Sequence, residues 1–199
     1  MIDPLKLAEQ QKHSLKGLKG APSQWLQRFS ALYEKGGNVL DFACGCGRND
    51  RYLSSLGMNV TASDIDERVY PYLEDIAGLK FVLTDLEDEP WPFEKESFDL
   101  VVVNFYLYRP RLKELASLLK PGGYLVYETF MRPYPEFDGN RARSENYNLK
   151  PMELPDTFRG ILSTVAYEET LGEGTDCFQR YIGRKFINGL NRPVRIINF

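Results

Sequence analysis

The chain has 199 residues, is 43% hydrophobic and 27% charged, and carries a formal net charge of -3 with an isoelectric point near 5.4. That length suits a single α/β core that folds without disulfide or metal staples. Its apolar runs, such as Leu100 to Val103, fall far short of a membrane span, and its acidic balance disfavours a broad surface for nucleic acid. The start Met1-Ile2-Asp3-Pro4-Leu5-Lys6 has neither the basic start and apolar core of a secretory signal nor an Arg/Ser-rich transit pattern, so a cytoplasmic protein is expected. Cys44 and Cys46 sit one residue apart in a glycine-rich turn where a mutual disulfide is strained, so reduced thiols are expected. With His13 the only histidine and Cys177 far along the chain, no metal site is expected.

Asp3 and Pro4 suit the N-cap and first position of a helix that Gly17 and Gly20 break. A second helix is predicted where Trp25, Leu26, Phe29, Leu32 and Tyr33 share one apolar face, ended by Gly36-Gly37. Beyond it, β-rich runs at Val39 to Ala43, Met58 to Ala62, Lys80 to Leu83, Phe98 to Asn104 and Tyr124 to Phe130 are separated mostly by helix-like stretches. That rhythm is the pattern of a parallel sheet with crossover helices. One crossover carries a stripe of Leu112, Leu115, Leu118 and Leu119 and stops at Lys120-Pro121-Gly122-Gly123. Met131 to Pro151 lacks periodicity and reads as a long surface loop. A short helix around Met152 to Phe158 then precedes strands at Ile161 to Glu168 and Asp176 to Phe186, joined by a hairpin turn at Gly172-Glu173-Gly174.

The sharpest local feature is the run from Asn38 to Asp50, in which a buried strand enters the turn Cys44-Gly45-Cys46-Gly47 and then a helix. Glycine permits so tight a turn and leaves room for a ligand against the backbone. In an open α/β sheet that turn lies beside the crevice where strand order reverses. A dinucleotide fingerprint wants a third glycine where Asp50 stands, and a pyrophosphate sits poorly beside a carboxylate at a helix start. A zwitterionic amino acid tail with a neighbouring sulfonium tolerates Asp41 better. No Walker phosphate loop occurs.

Asp64 closes the second strand, where it can accept bonds from both hydroxyls of a ribose, while Asp66, followed by Glu67, suits a helix cap. Asp85 closes the third strand and can accept an adenine amino proton, with the Leu86 amide donating to a ring nitrogen.

These segments resemble, in order across about Val39 to Phe130, the class I S-adenosylmethionine-dependent methyltransferases. Val39 to Gly47 is similar to the family's first motif, Asp64 to its ribose carboxylate, Thr84-Asp85-Leu86-Glu87 to its adenine segment, Phe98 to Val103 to its fourth strand, and Leu119 to Leu125 to its fifth-strand entry. Further stretches, including Gly20 to Leu26, Trp91-Pro92-Phe93, Leu107-Tyr108-Arg109-Pro110, Tyr127 to Phe130 and Asn148 to Leu154, resemble small bacterial TehB-like methyltransferase-domain proteins. The resemblance implies a Rossmann-like fold: a mostly parallel seven-stranded sheet with a terminal antiparallel hairpin and helices on both faces. It implies one domain over 1–199, divided into an N-terminal helical cap (1–36), a cofactor-binding core (37–130), a substrate-side loop (131–150) and a C-terminal helix, hairpin and tail (151–199). It also implies that S-adenosylmethionine is held by Asp41, Ala43, Cys44, Gly45, Gly47, Asp64, Ile65, Asp85, Leu86, Asn104 and Phe105.

Methyl transfer is an in-line displacement, so the first requirement is alignment in a site that excludes water, without a covalent nucleophile. Cys44 and Cys46 therefore read as small residues lining the turn. The tip of the fourth strand should face the methyl, making Tyr106 and Tyr108 the candidate catalytic residues, with packing as the alternative for each. Arg109, Arg143 and His13 are candidates for binding the acceptor, and Arg141 is a further loop guanidinium. Two departures from the pattern stand out: Tyr108 replaces the histidine expected before Arg-Pro, and Asn104-Phe105-Tyr106-Leu107 lacks the Asn-Pro-Pro-Tyr signature of amide and adenine methylation. A small-molecule acceptor is the favoured expectation. The alternatives are an RNA or protein acceptor, signalled by Arg184, Lys185, Arg192 and Arg195, and a cofactor-binding protein without transfer activity.

Overall fold

A computed structural model describes residues 20–88, 90–132, 145–171 and 176–187, together with Pro4 and Ala8, both helical. Seven strands form one sheet: β1 Asn38–Phe42, β2 Asn59–Asp64, β3 Lys80–Leu83, β4 Phe98–Asn104, β5 Leu119–Met131, β6 Leu162–Leu171 and β7 Cys177–Lys185. Their order is β3-β2-β1-β4-β5-β7-β6. β1 to β5 pair in parallel, and β7 runs antiparallel between β5 and β6. This is the Rossmann-like sheet with its terminal antiparallel hairpin that the resemblance implied.

Successive strand residues point to opposite faces, and both faces of this sheet are covered. Leu40, Phe42, Val101, Val103, Leu125 and Tyr127 enter one core, while Val39, Leu100, Val102 and Val126 enter another. Burial on both sides explains why β1 and β4 read as nearly unbroken apolar runs rather than alternating ones. A smaller third core of Cys44, Cys46, Ala62, Val69, Leu73 and Ile76 packs beneath the glycine turn.

The crossovers carry less α-helix than the apolar patterns suggested. Helix α1 spans only Gln24–Arg28, capped by Ser23, and the chain tightens at Phe29 into a 3-10 turn at Ser30–Leu32. The predicted apolar face nevertheless holds together, with Trp25, Leu26 and Phe29 buried and Leu32 and Tyr33 packed against them. After β2 comes a 3-10 segment, Glu67–Tyr72, with Pro71 inside it, which has no N–H to continue an α-helical ladder. The leucine stripe after β4 forms a 3-10 segment, Arg109–Glu114, running into the short helix α3, Leu115–Leu118. Leu119 already belongs to β5, because the Pro121-Gly122 stretch is accommodated as an irregularity in pairing between Phe98/Leu119 and Leu100/Tyr124. Helix α2, Arg48–Ser55, follows β1, and α4, Glu153–Phe158, precedes β6. Among the described residues no helix is long and apolar enough to cross a membrane.

Strand order reverses between β1 and β4, so the carboxyl tips of β1, β2, β3 and β4 border one crevice. On the opposite flank the sheet is closely packed. A Cβ at Gly183 would lie 2.6 Å from the Tyr181 ring and 2.8 Å from Leu162 Cδ1. Gly183→Ala should therefore destabilise the fold by about 1–3 kcal/mol through overpacking, read as a lower urea midpoint with an unchanged slope.

Candidate functional site

β1 ends in a turn whose backbone is left-handed three times, at Ala43 (φ 63), Gly45 (φ 55) and Gly47 (φ 77). Gly47 is demanded by packing as well as by conformation, since a Cβ there would fall 2.2 Å from Leu73 Cδ2. Ala43 carries a Cβ in a region that L-residues avoid, at a cost of about 1–2 kcal/mol. The Cys44 amide donates to the Ser63 carbonyl (2.9 Å), joining the turn to β2.

Asp64 fixes the turn from the neighbouring strand tip. Its Oδ2 accepts from the Gly45 amide (2.9 Å) and its Oδ1 from the Asp66 amide (3.0 Å). Burial raises its carboxyl above the ordinary range, and these two amides oppose the rise. Asp66 caps the next segment, accepting from the Arg68 amide (3.1 Å) and pairing with the Arg68 guanidinium (2.7 Å). The division of labour expected for the two acids is thus met on the side of the cap. At the third tip the Thr84 amide donates to the Asp64 carbonyl (2.9 Å), and Asp85 Oδ1 accepts from the Glu87 amide (3.0 Å), which folds the loop back. The buried Leu86 lends its carbonyl to Trp91 Nε1 (2.7 Å), setting that indole 4.9 Å from Phe42.

At the β4 tip the sequence concealed a polar network. Glu128, buried on β5, accepts from Asn104 Nδ2 (2.8 Å), Ser23 Oγ (2.5 Å) and Arg180 Nε (2.6 Å). Ser23 also donates its amide to Asn49 Oδ1 (3.0 Å), so the segment before α1 is stitched across the crevice to both α2 and β5. Asn104 Oδ1 is buried without a partner. The signal that could have revealed Glu128 was a charged residue inside an otherwise buried strand. Next to Asn104, Phe105 adopts φ 59, is half exposed, and stacks on Phe130 at 5.0 Å, with Phe178 completing an aromatic trio. The Arg48 guanidinium lies 5.4 Å from the Phe105 ring, tying this platform to the glycine turn.

Tyr106 and Tyr108 line a narrow crevice with Phe42, Leu86, Trp91 and Arg111. The Tyr106 hydroxyl is buried without a partner, and burial raises it far above the phenol range, so Tyr106 is held as a neutral phenol. Burial, reinforced by Asp50, Asp64 and Asp41, likewise raises the Cys44 thiol and keeps it un-ionised, consistent with a lining role. Ile65 is buried behind Asp64. His13, Arg141, Arg143, Arg192, Arg195 and the turn at Gly172-Glu173-Gly174 lie outside the described residues. Of the basic set proposed for a macromolecular acceptor, Arg184 donates to the Gly122 carbonyl (3.1 Å) and Lys185 pairs with Glu96 (2.9 Å).

Arg109, a candidate for binding the acceptor, is engaged within the fold: it donates from Nε and Nη2 to Glu153 (2.6 and 3.0 Å), from Nη1 to the Asn146 carbonyl (3.1 Å) and from Nη2 to the Asn148 carbonyl (2.6 Å). It clamps the stretch before α4 to the β4 side of the fold, a partnership 44 residues apart that no local pattern reveals. Burial tends to raise the Glu153 carboxyl, but the Arg109 fork and the Lys150 amide outweigh it, and the group ends below its ordinary value. A carboxyl lowered on folding stabilises above its unfolded pKa and loses that contribution as pH falls through its folded one. Glu153→Gln should accordingly cost about 1–2 kcal/mol near neutrality, and denaturation curves of mutant and wild type should converge as the pH falls below the usual carboxylate range.

A family model described as "Methyltransferase domain" matches residues 39–123. The chain is 32% identical over 173 residues to a probable phthiotriol/phenolphthiotriol dimycocerosates methyltransferase 2 of Mycobacterium ulcerans (strain Agy99), covering 79% of this chain and 66% of that protein. It is 36% identical over 107 residues to a demethylmenaquinone methyltransferase of Clavibacter sepedonicus, covering 49% of this chain and 43% of the relative. The chain therefore spans two thirds or less of these relatives. In fold it is similar to TehB from Haemophilus influenzae (TM-score 0.71, 22% identity, 84% of this chain and 63% of that one). It also resembles the 1,6-didemethyltoxoflavin-N1-methyltransferase of Burkholderia thailandensis (TM-score 0.65, 17% identity, 94% and 92% covered), whose structure holds S-adenosylhomocysteine. The sheet order, the glycine turn and these relatives support a class I S-adenosylmethionine-dependent methyltransferase that resembles the TehB-like proteins in fold.

Proposed function

We propose that this protein transfers a methyl group from S-adenosylmethionine to a small-molecule acceptor by in-line displacement. The observation that carries the reading is the Asp64 carboxylate, held at the strand tip by the Gly45 and Asp66 amides. Each of its oxygens has a further lone pair, enough for the two hydroxyls of a ribose. Around it, the residues suited to the cofactor are Ala43, Cys44, Gly45 and Gly47 with Asp41 beneath them for the amino acid end, Ile65 beside the ribose, Asp85 and Leu86 for the adenine, and Asn104 and Phe105 facing the methyl. Asn104 Oδ1 and Asp41 Oδ2 are buried acceptors without donors, which fits a ligand that brings N–H groups and positive charge.

The bound cofactor supplies an activated methyl on a sulfonium. The chain's own part is to orient and to exclude water. Glu128 fixes the Asn104 amide, and the aromatic trio gives the acceptor an apolar floor beside Arg48. Tyr106, kept neutral, can donate a hydrogen bond but does not take a proton as phenolate; Tyr108 is the other candidate for contact with the reacting groups. Arg143 and His13 are further candidates for holding the acceptor. The acidic net charge supports a small molecule over nucleic acid, and the reading takes one domain working in the cytoplasm.

Calorimetry with S-adenosylhomocysteine tests the cofactor assignment. Wild type should bind, and Asp64→Asn should weaken binding by about ten- to a hundredfold, as loss of charge-assisted bonds to the ribose requires. Purified protein free of co-purified ligand that binds neither S-adenosylmethionine nor its demethylated product contradicts the proposal. Transfer of radiolabelled methyl into metabolite, rather than RNA or protein, pools tests the acceptor class.

A further inference from the structure

Beneath the glycine turn lies a second acid that neither the motif nor the proposed chemistry uses. Asp50, in the first turn of α2, is fully buried, as is Asp41 at the end of β1. Among the described residues no side chain donates to Asp41 Oδ2 or to either oxygen of Asp50, and only Asp50's own amide favours its ionised form from the backbone. Asp50 Oδ2 is 3.3 Å from where a Gly47 Cβ would stand, so it sits directly under the turn assigned to the amino acid end of the cofactor. The nearness of the two carboxyls favours a proton on Asp50 and the ionised form of Asp41.

The surroundings do not neutralise a double negative charge. On α2, Arg48 favours ionised Asp41 and Arg51 favours ionised Asp50, but Arg51 is spent on Asp75 (2.7 Å). The turn offers Cys44, un-ionised; β2 offers Asp64, which repels, and Ala62; β4 offers Val102. Burial first, and Asp41 second, push Asp50 well up, and burial pushes Asp41 up to about 7. Two buried carboxyls without a cation of their own hold a proton between them.

We propose that Asp50 is a positioning residue for the cofactor: in the free protein it holds a proton against Asp41, and binding of the cationic cofactor above the turn expels that proton to solvent. The inference rests on the cofactor assignment made above. The balance is simple: one carboxylic acid becomes a carboxylate, the proton passes to buffer, and the cofactor's ammonium and sulfonium charges compensate the pair. Because the acid's pKa is raised in the free protein and lowered in the complex, affinity rises with pH through the window that ends near the free-protein value, and levels off above it. At full linkage the rise is about tenfold per pH unit.

The test is calorimetry of S-adenosylmethionine and S-adenosylhomocysteine with wild type and Asp50→Asn, in phosphate and in Tris, across pH. The cofactor's own α-amino group titrates near the same range, so the readout is the difference between the two proteins. Wild type should release up to one proton more per cofactor than Asp50→Asn, and more with the sulfonium than with its demethylated product. Infrared difference spectra of wild type should show a protonated carboxyl band lost on binding, a readout that needs no variant. Binding with the same buffer dependence in both proteins, or without loss of that band, overturns the inference while leaving the cofactor assignment standing. Absence of any binding removes both.

Discussion

The crevice depends on one carboxylate. Asp64 reaches from the β2 tip to the amide of Gly45 and back to that of Asp66, so the turn after β1 and the turn after β2 are set by the same group. A buried carboxylate is costly unless it collects donors, and here the donors are backbone amides freed by the two turns. The hydrogen bonds between them offset both the burial of the acid and the loss of ladder partners in the turns. The third tip joins through the Thr84 amide on the Asp64 carbonyl. Three strand ends are thereby held in a common frame before any ligand arrives, which is the preorganisation that alignment-driven chemistry requires.

A second frame closes the acceptor side. Glu128 gathers Asn104 from β4, Arg180 from β7 and Ser23 from the segment before α1, and Arg180 and Arg28 both reach Glu168 on β6. With each oxygen of Glu128 engaged, it acts as a brace rather than a base. Its effect is to hold Asn104 Oδ1 and the Phe105 ring at the edge of the crevice. Arg109 and Glu153 brace the stretch before α4 in a similar way.

Much of the fold was legible because burial on both faces of a parallel sheet leaves unbroken apolar runs, and β4 falls on the residues such a run marked; β3, an edge strand with no fully buried residue, matches its expected bounds through its β-rich composition. The assignment of Asp64 to the strand tip and Asp66 to the cap was also legible, because the two acids stand at different distances from the last apolar residue. The helices were less so. The apolar stripes at Trp25 to Tyr33 and Leu112 to Leu119 report which residues face the core, and a 3-10 turn buries the same side chains as an α-helix does. Contacts between distant segments were not legible at all. The Arg109–Glu153 pair joins residues 44 apart, and the burial of Asp50 depends on the packing around the glycine turn, where Leu73 and Ile76 close on Gly47. Both depend on tertiary packing that has no local periodicity.

The most direct measurement of the central claim is a crystal structure of the protein with S-adenosylhomocysteine. The account requires the two ribose hydroxyls to lie within hydrogen-bond distance of the Asp64 oxygens, with the amino acid end over Gly45 and Gly47 and the adenine against Asp85 and Leu86. A ligand seated elsewhere, or a ribose turned away from Asp64 while that carboxylate keeps only its two backbone amides, would contradict it.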